Sequence, residues 1–237
     1  MDQLTAALLY ATIAGATIPL GGLAACVERV QPQWLEQEFR HSVIAFGGGV
    51  LLAAIALVLV PAGTDRLTMG PALLAFAAGG VLFFALDRLI ERRGGAGAQL
   101  MAMLLDFLPE SMAMGAMLAT QSNVGVLLAL LIALQNLPEG FNAYRELRRA
   151  NRIRPALLLA VFCALVPLGP LAAWLGLAVL GDLPRLLGAI MLLASGGILY
   201  LTFEDIAPQA YLERHWAPPL GAVLGFLLGL AGHMAVT

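Results

Sequence analysis

The feature that most constrains this chain is a succession of near-continuous apolar runs, at about 4–26, 42–63, 69–90, 99–120, 124–146, 155–180, 184–207 and 217–236. Crossing a hydrocarbon layer of about 30 Å takes roughly 20 residues of helix, and each run reaches that length. In lipid the backbone polar groups must be satisfied within the segment, so the runs predict helices; a β-barrel would show short alternating segments instead. Composition excludes the remaining classes. Of 237 residues 60% are apolar and only 12% charged, against roughly 25% charged in a soluble domain. A secreted enzyme, a nucleic-acid binder and a disulfide scaffold are ruled out, and the short loops leave no space for a soluble domain. Cys26 and Cys163 stand alone in apolar surroundings and form no metal or redox pair. The opening Met-Asp-Gln-Leu has no positive n-region, so the first run reads as a retained helix rather than a cleaved signal.

All 13 basic residues are arginine. Eleven fall in the loops after the first, third, fifth and seventh helices: Arg29, Arg40, Arg88, Arg92, Arg93, Arg145, Arg148, Arg149, Arg152, Arg154 and Arg214. Arg66 and Arg185 lie on the opposite side. The positive-inside rule puts the eleven in the cytoplasm and both termini outside.

The chain also repeats itself. Ile18-Pro-Leu-Gly-Gly-Leu-Ala-Ala25 matches Val166-Pro-Leu-Gly-Pro-Leu-Ala-Ala173 at six of eight positions, at an offset of 148. The same offset carries Gly48-Gly49-Val50-Leu51 onto Gly196-Gly197-Ile198-Leu199 and Pro71 onto Pro219. Helices one and six, five spans apart, then cross in opposite directions. The predicted architecture is an all-α membrane protein of eight helices in a 3+2+3 arrangement. Repeat one (about 4–90) and repeat two (about 155–236) are inverted around helices four and five (about 99–146), all in one domain. Folds of that kind are transporters, with sites near the midplane in Pro- or Gly-interrupted helices; duplicated helices in a scaffold are the plain alternative.

The chemistry lies in helices four and five. One carries Asp106-Phe-Leu-Pro-Glu110-Ser111 and the other Gln135-Asn136-Leu-Pro-Glu139-Gly140, two versions of one pattern 29 residues apart. Asp106 and Glu110 share a helix face, as do Gln135 and Glu139. Pro109 and Pro138 each remove an i→i−4 hydrogen bond, freeing the carbonyls of Leu105 and Leu134. A mid-membrane carboxylate costs roughly 2.5–3.5 kcal/mol on insertion scales, and every arginine lies near a helix end. The three acids are therefore protonated, hydrogen-bonded between helices as neutral groups, or compensated by a bound cation; the last fits both the charge and the all-oxygen ligand set.

At these residues the chain resembles the ZIP (Zrt-, Irt-like) family of divalent-metal transporters, in a divergent, prokaryotic-type form. Gln135-Asn-Leu-Pro-Glu-Gly140 is similar to the family's fifth-helix metal motif. Ser195-Gly-Gly-Ile-Leu-Tyr-Leu-Thr-Phe-Glu-Asp-Ile-Ala-Pro208 resembles its seventh-helix signature, and Phe46-Gly-Gly-Gly-Val-Leu-Leu-Ala53 its second helix. The resemblance implies the 3+2+3 arrangement, a homodimer, elevator-like movement, and a metal site between helices four and five that often holds two ions. The departures matter: Asp106 and Phe107 stand where the family has His-Asn, Val166 where it has an acid, and Val58 and Ala62 where it has a His and an acid. One ion per subunit is expected. Its ligands are Asp106, Glu110, Gln135 and Glu139, with Asn136 at the edge. Such a site is harder than a His-containing one and so more tolerant of Mn²⁺, Fe²⁺ or Mg²⁺ beside Zn²⁺.

Glu204 and Asp205, near the cytoplasmic end of helix seven, would hand ions to or from the site, or be solvated. Five of nine methionines fall between 101 and 117 and read as packing more than as thioether ligands. Asp87 and Arg88 read as a helix-end pair, and His41, His215 and His233 as surface residues. Gly221, Gly225 and Gly229 form a small-residue stripe in helix eight. The expected partners are metal ions, the lipid bilayer and a second copy, not nucleic acid; the expected location is a bacterial inner membrane. No HExxH or GxGD helix, nor a paired nucleophile and base, supports an intramembrane enzyme. A proton-coupled carrier of a small organic solute is the other class these acids would serve.

Overall fold

The computed structural model describes residues 2–28, 33–93, 97–119, 123–151, 153–213 and 217–236, and within them all side chains except those of 33–36, 90–93, 97–99, 102, 150 and 151. Arg29, Arg152, Arg214 and His215 lie outside the described residues, as do the side chains of Arg92 and Arg93. Among the described residues every regular element is helical. The helices are α1 Gln3–Val27, α2 Gln33–Ala54 continuing through Ile55–Leu59 into Val60–Thr64, α3 Met69–Arg93 and α4 Gly97–Ala119. They are followed by α5 Asn123–Asn151, α6 Pro155–Leu180, α7 Pro184–Ala210 and α8 Ala217–Val236.

Among the described residues, seven of these helices are long and apolar enough to cross a membrane. α4 has 23 residues, about 34 Å at 1.5 Å per residue. The outer surface fits the same environment. Leu73, Leu74 and Val81 on α3 are 64–72% exposed, and Leu220, Val223 and Leu227 on α8 are 54–61% exposed. Water would not tolerate apolar faces of that extent; lipid would. These are the properties of a helical membrane protein.

α2 begins well before the apolar run. Its first turns are polar, and their Gln, Glu and Leu residues are good helix formers that extend the helix from its polar end. α6 is interrupted at Val166 and Pro167, whereas α1 passes through the equivalent Pro19 unbroken. The difference lies in the repeated string itself: Gly22 of α1 is replaced by Pro170, so α6 loses two amide donors within one turn. α2 and α7 each contain a π-helical turn, Ile55–Leu59 and Thr202–Ile206, within one residue of the 148-residue offset.

Packing follows the repeat. α1 packs chiefly on α5 and α6 on α4, while α2 packs on α8 and α7 on α3. Each first-repeat contact thus has a second-repeat counterpart with α4 and α5 exchanged. The registers fix direction. Gly22 meets Phe162 and Gly15 meets Val166, so α1 and α6, which share the string, run oppositely. Gly221 meets Ser42, Gly225 meets Phe46 and Gly229 meets Ala53, so α2 and α8 run together. The glycine stripe of α8 therefore packs within the subunit. A Cβ on Gly225 would run into the Phe46 carbonyl, and one on Gly49 into that of Ala222. Without a hydrophobic drive between helices in lipid, such backbone contact supplies the association.

Candidate functional site

α4 and α5 lie side by side in opposite directions, so the two motifs face each other: Glu110 opposite Gln135, and Asp106 beside Glu139. The i,i+4 spacing puts each pair on the inward face of its helix. Glu110 and Gln135 are fully buried, Asn136 is 1% exposed and Asp106 5%. Asp106, Glu110, Gln135 and Glu139 are therefore brought together in the bundle interior, whereas Asn136, though buried, bonds to α1 instead.

The hydrogen bonds define what the group lacks. Gln135 Nε2 donates to Glu110 Oε2, which fixes the orientation of the Gln135 amide. Asn136 Nδ2 donates to the Ala14 carbonyl at 3.0 Å, tying α5 to α1. Asp106 Oδ1 accepts from the Phe107 backbone N–H at 2.7 Å. What remains is a set of buried oxygens with no hydrogen-bond partner: Glu110 Oε1, Gln135 Oε1, Asn136 Oδ1 and both carboxylate oxygens of Glu139. Every one is an acceptor. Buried acceptors need donors or a cation, and leaving them unsatisfied costs about 1–3 kcal/mol each, more where charged. Among the described residues no three His, Cys, Asp or Glu side chains converge tightly enough to hold a metal ion by themselves. Gln135 and Asn136, which supply amide oxygens, lie outside that set of residue types.

A cavity of about 50 Å³ opens beside the cluster, between α2, α4, α5 and α7, lined by Gly47, Asp106, Glu139, Asn142, Asp205 and Gln209 among others. One water needs roughly 10–15 Å³ on this measure, so the cavity has room for a few water-sized groups. Gly47 makes room for Pro138: a Cβ there would lie 2.9 Å from the proline ring. On the other side of Glu110 and Gln135 the bundle is filled by Met114, Leu128, Leu131, Ile132 and Met191, all fully buried. The cavity extends away from these apolar side chains. It lies toward the ends of α1 and α5 and the start of α2, where Arg145 pairs with Glu28 and where Arg40 and Arg149 come within electrostatic reach of each other.

Other expectations divide. Asp205 lines the cavity; Glu204, one residue earlier, instead lines an outer groove with Tyr200 and Phe203. Met103 borders the cavity, whereas Met114 and Met117 pack in the apolar core. Phe107 is fully buried, its ring wedged between Gly15 of α1 and Gly169 of α6. Asp87 accepts from the Tyr200 hydroxyl at 3.0 Å, while Arg88 lies over the Phe84 ring. Asn142 and Gln209 were not anticipated. Their signal was present as a polar stripe, Gln135, Glu139, Asn142 and Glu146, on one face of α5, but its lower half reads as ordinary polarity near a helix end. Compared with protein-family models and with curated proteins, the chain matches none.

Proposed function

We propose that the protein is a membrane transporter whose substrate is a divalent metal cation, bound once per subunit by Asp106, Glu110, Gln135 and Glu139, with Asn136 at the edge. One observation carries the reading: five buried oxygens without donors lie on two antiparallel helices, and the two of Glu139 belong to a residue that lines, with Asp106, a cavity with room for only small or partly hydrated species. Three carboxylates in that position attract a cation, and the amides add neutral oxygens to complete its shell. The resemblance of the two Leu-Pro-Glu motifs to those of ZIP transporters points the same way. It extends the proposal to eight crossings with inverted repeats, a homodimer and a bacterial inner membrane. With the arginine-rich side in the cytoplasm, both termini are outside and the cavity faces inward. Movement of α4 and α5 past α2 and α7 would then expose the same ligands to the other side.

An all-oxygen set favours the harder ions, so Mn²⁺ and Fe²⁺ are expected as substrates beside Zn²⁺. The test is uptake of labelled Mn²⁺ and Zn²⁺ into proteoliposomes holding the purified protein. Glu139→Gln keeps the size and removes one charge; it should abolish uptake while the protein still elutes as the wild type does on gel filtration. Unchanged uptake would overturn the site.

A further inference from the structure

A second cavity lies at the arginine-rich end of α5, away from the carboxylate cluster. It is wider, about 300 Å³ against about 50 Å³. Cys26 of α1, Tyr144, Arg145, Arg148 and Arg149 of α5, and Pro155 of α6 line it. Spacings of three and four residues put the three arginines on one face of α5, and among the described residues no carboxylate lines the cavity. Arg145 is committed: it pairs with Glu28 of α1 and lies over the Phe141 ring. Arg148 gives one nitrogen to the Ile153 carbonyl, which holds its guanidinium in place; that group has five N–H donors in all. Arg149 is exposed and makes no hydrogen bond or ion pair among the described residues. Glu146 acts on Arg149 and is shared with Arg40, so four arginines gather here against two acids, Glu28 and Glu146. The first turn of α6 adds to the same charge. Pro155 has no N–H, the Leu158 N–H bonds the Arg154 carbonyl, and the Arg154 side chain provides no cap. Among the described residues the Ala156 and Leu157 amides are thus left at the positive end of the helix. Apolar side chains border this charge. Gly22 meets Phe162 and Leu159, so Cys26 stands level with the start of α6. The neighbouring Leu23 and Val27 of α1 and Leu157 of α6 are 47–65% exposed.

We propose that this cavity binds the phosphate group of an anionic phospholipid, with Arg148 and Arg149 as its charge partners. The planar guanidinium fork matches a pair of phosphate oxygens, and the first amides of α6 offer further donors to the same anion. Free phosphate shares that chemistry. What favours the lipid is the border: exposed Leu23, Val27 and Leu157 accept acyl chains while the head group sits among the arginines. Basic pockets between transmembrane helices hold anionic head groups in this way. Bound there, the lipid bridges α1, α5 and α6 at one end of the helix that carries Gln135 and Glu139. No cation at the carboxylate cluster is needed for it.

The experiment is native mass spectrometry of the full chain in detergent, titrated separately with phosphatidylglycerol, phosphatidylcholine of the same chain length, and inorganic phosphate. The wild type should retain phosphatidylglycerol about tenfold or more tightly than phosphatidylcholine, and should retain inorganic phosphate weakly. Arg148→Gln combined with Arg149→Gln should bring phosphatidylglycerol down to the level of phosphatidylcholine. Arg149→Gln alone removes a side chain that holds no other group, so the fold is kept, and it should give part of the same loss; Arg149→Lys should restore most of it. Arg88→Gln, on the same side but outside the cavity, should change nothing. Equal retention of the two lipids by the wild type, or unchanged retention in the double variant, would overturn the site. So would an equal loss in Arg88→Gln, which would mean diffuse attraction to the arginine-rich side. Inorganic phosphate held as tightly as phosphatidylglycerol would overturn the lipid as the occupant.

Discussion

Glu139 is the residue on which the chemistry turns. Both of its carboxylate oxygens are buried without a hydrogen-bond partner, beside Asp106 and within the same cavity. Glu110, by contrast, has one oxygen held by Gln135 and one left over. The inner cluster is therefore partly constrained: Gln135 steadies Glu110, Asn136 is anchored to α1, and Asp106 and Glu139 line the cavity in which the proposed ion would sit. Its preference should follow its donor atoms. Asp106→His replaces a hard oxygen by an imidazole nitrogen and should shift affinity from Mn²⁺ toward Zn²⁺ by about tenfold or more, measured as competition between the two ions in uptake or equilibrium binding. An unchanged ratio would mean that Asp106 does not touch the ion.

Among the elements, the pairs that hold the bundle meet through glycine. Gly225 on α8 lies against the backbone of α2, so Gly225→Ala forces a backbone shift and should destabilise by about 1–3 kcal/mol. Gly70, with nothing within 4 Å of where its Cβ would be, is the control and should tolerate Ala. The check is the thermal unfolding midpoint of both variants in detergent, lowered for Gly225→Ala alone. At this scale the sequence was largely legible, because a run of apolar residues in lipid has no alternative to helix. Seven of the runs reappear as spans within a few residues of their expected ends. What escaped was whatever the apolar pattern does not encode. The polar start of α2 has no apolar run to mark it, and the break in α6 depends on Pro170 standing where α1 has Gly22. The π-helical turns of α2 and α7 change hydrogen-bond register without changing composition. The inner site was legible because its residues are costly where they stand. Asn142 and Gln209 were not, because their place at the cavity exists only once α5 and α7 are side by side.

At the level of the whole molecule the account rests on an asymmetry. The helices that share the repeated strings exchange packing partners, yet among the described residues the polar cavity lies toward one end of the bundle. A cavity lined by Asp106, Glu139, Asn142 and Asp205 leads toward the arginine-rich side, and Met114, Leu128, Leu131 and Ile132 close the other. Charge is sorted by depth: the described arginines lie near helix ends with most of the acids, and three of the fifteen acids, Asp106, Glu110 and Glu139, stand in the interior with oxygen neighbours. On the proposed reading, a site of that composition, packed with apolar side chains on one side and bordered by a polar cavity on the other, receives a small cation. The most direct measurement is anomalous scattering at the manganese edge from crystals of the full chain grown with millimolar Mn²⁺. The strongest peak should lie among the side-chain oxygens of Asp106, Glu110, Gln135 and Glu139. Crystals at that concentration with no peak within ligand distance of those four residues would contradict the account.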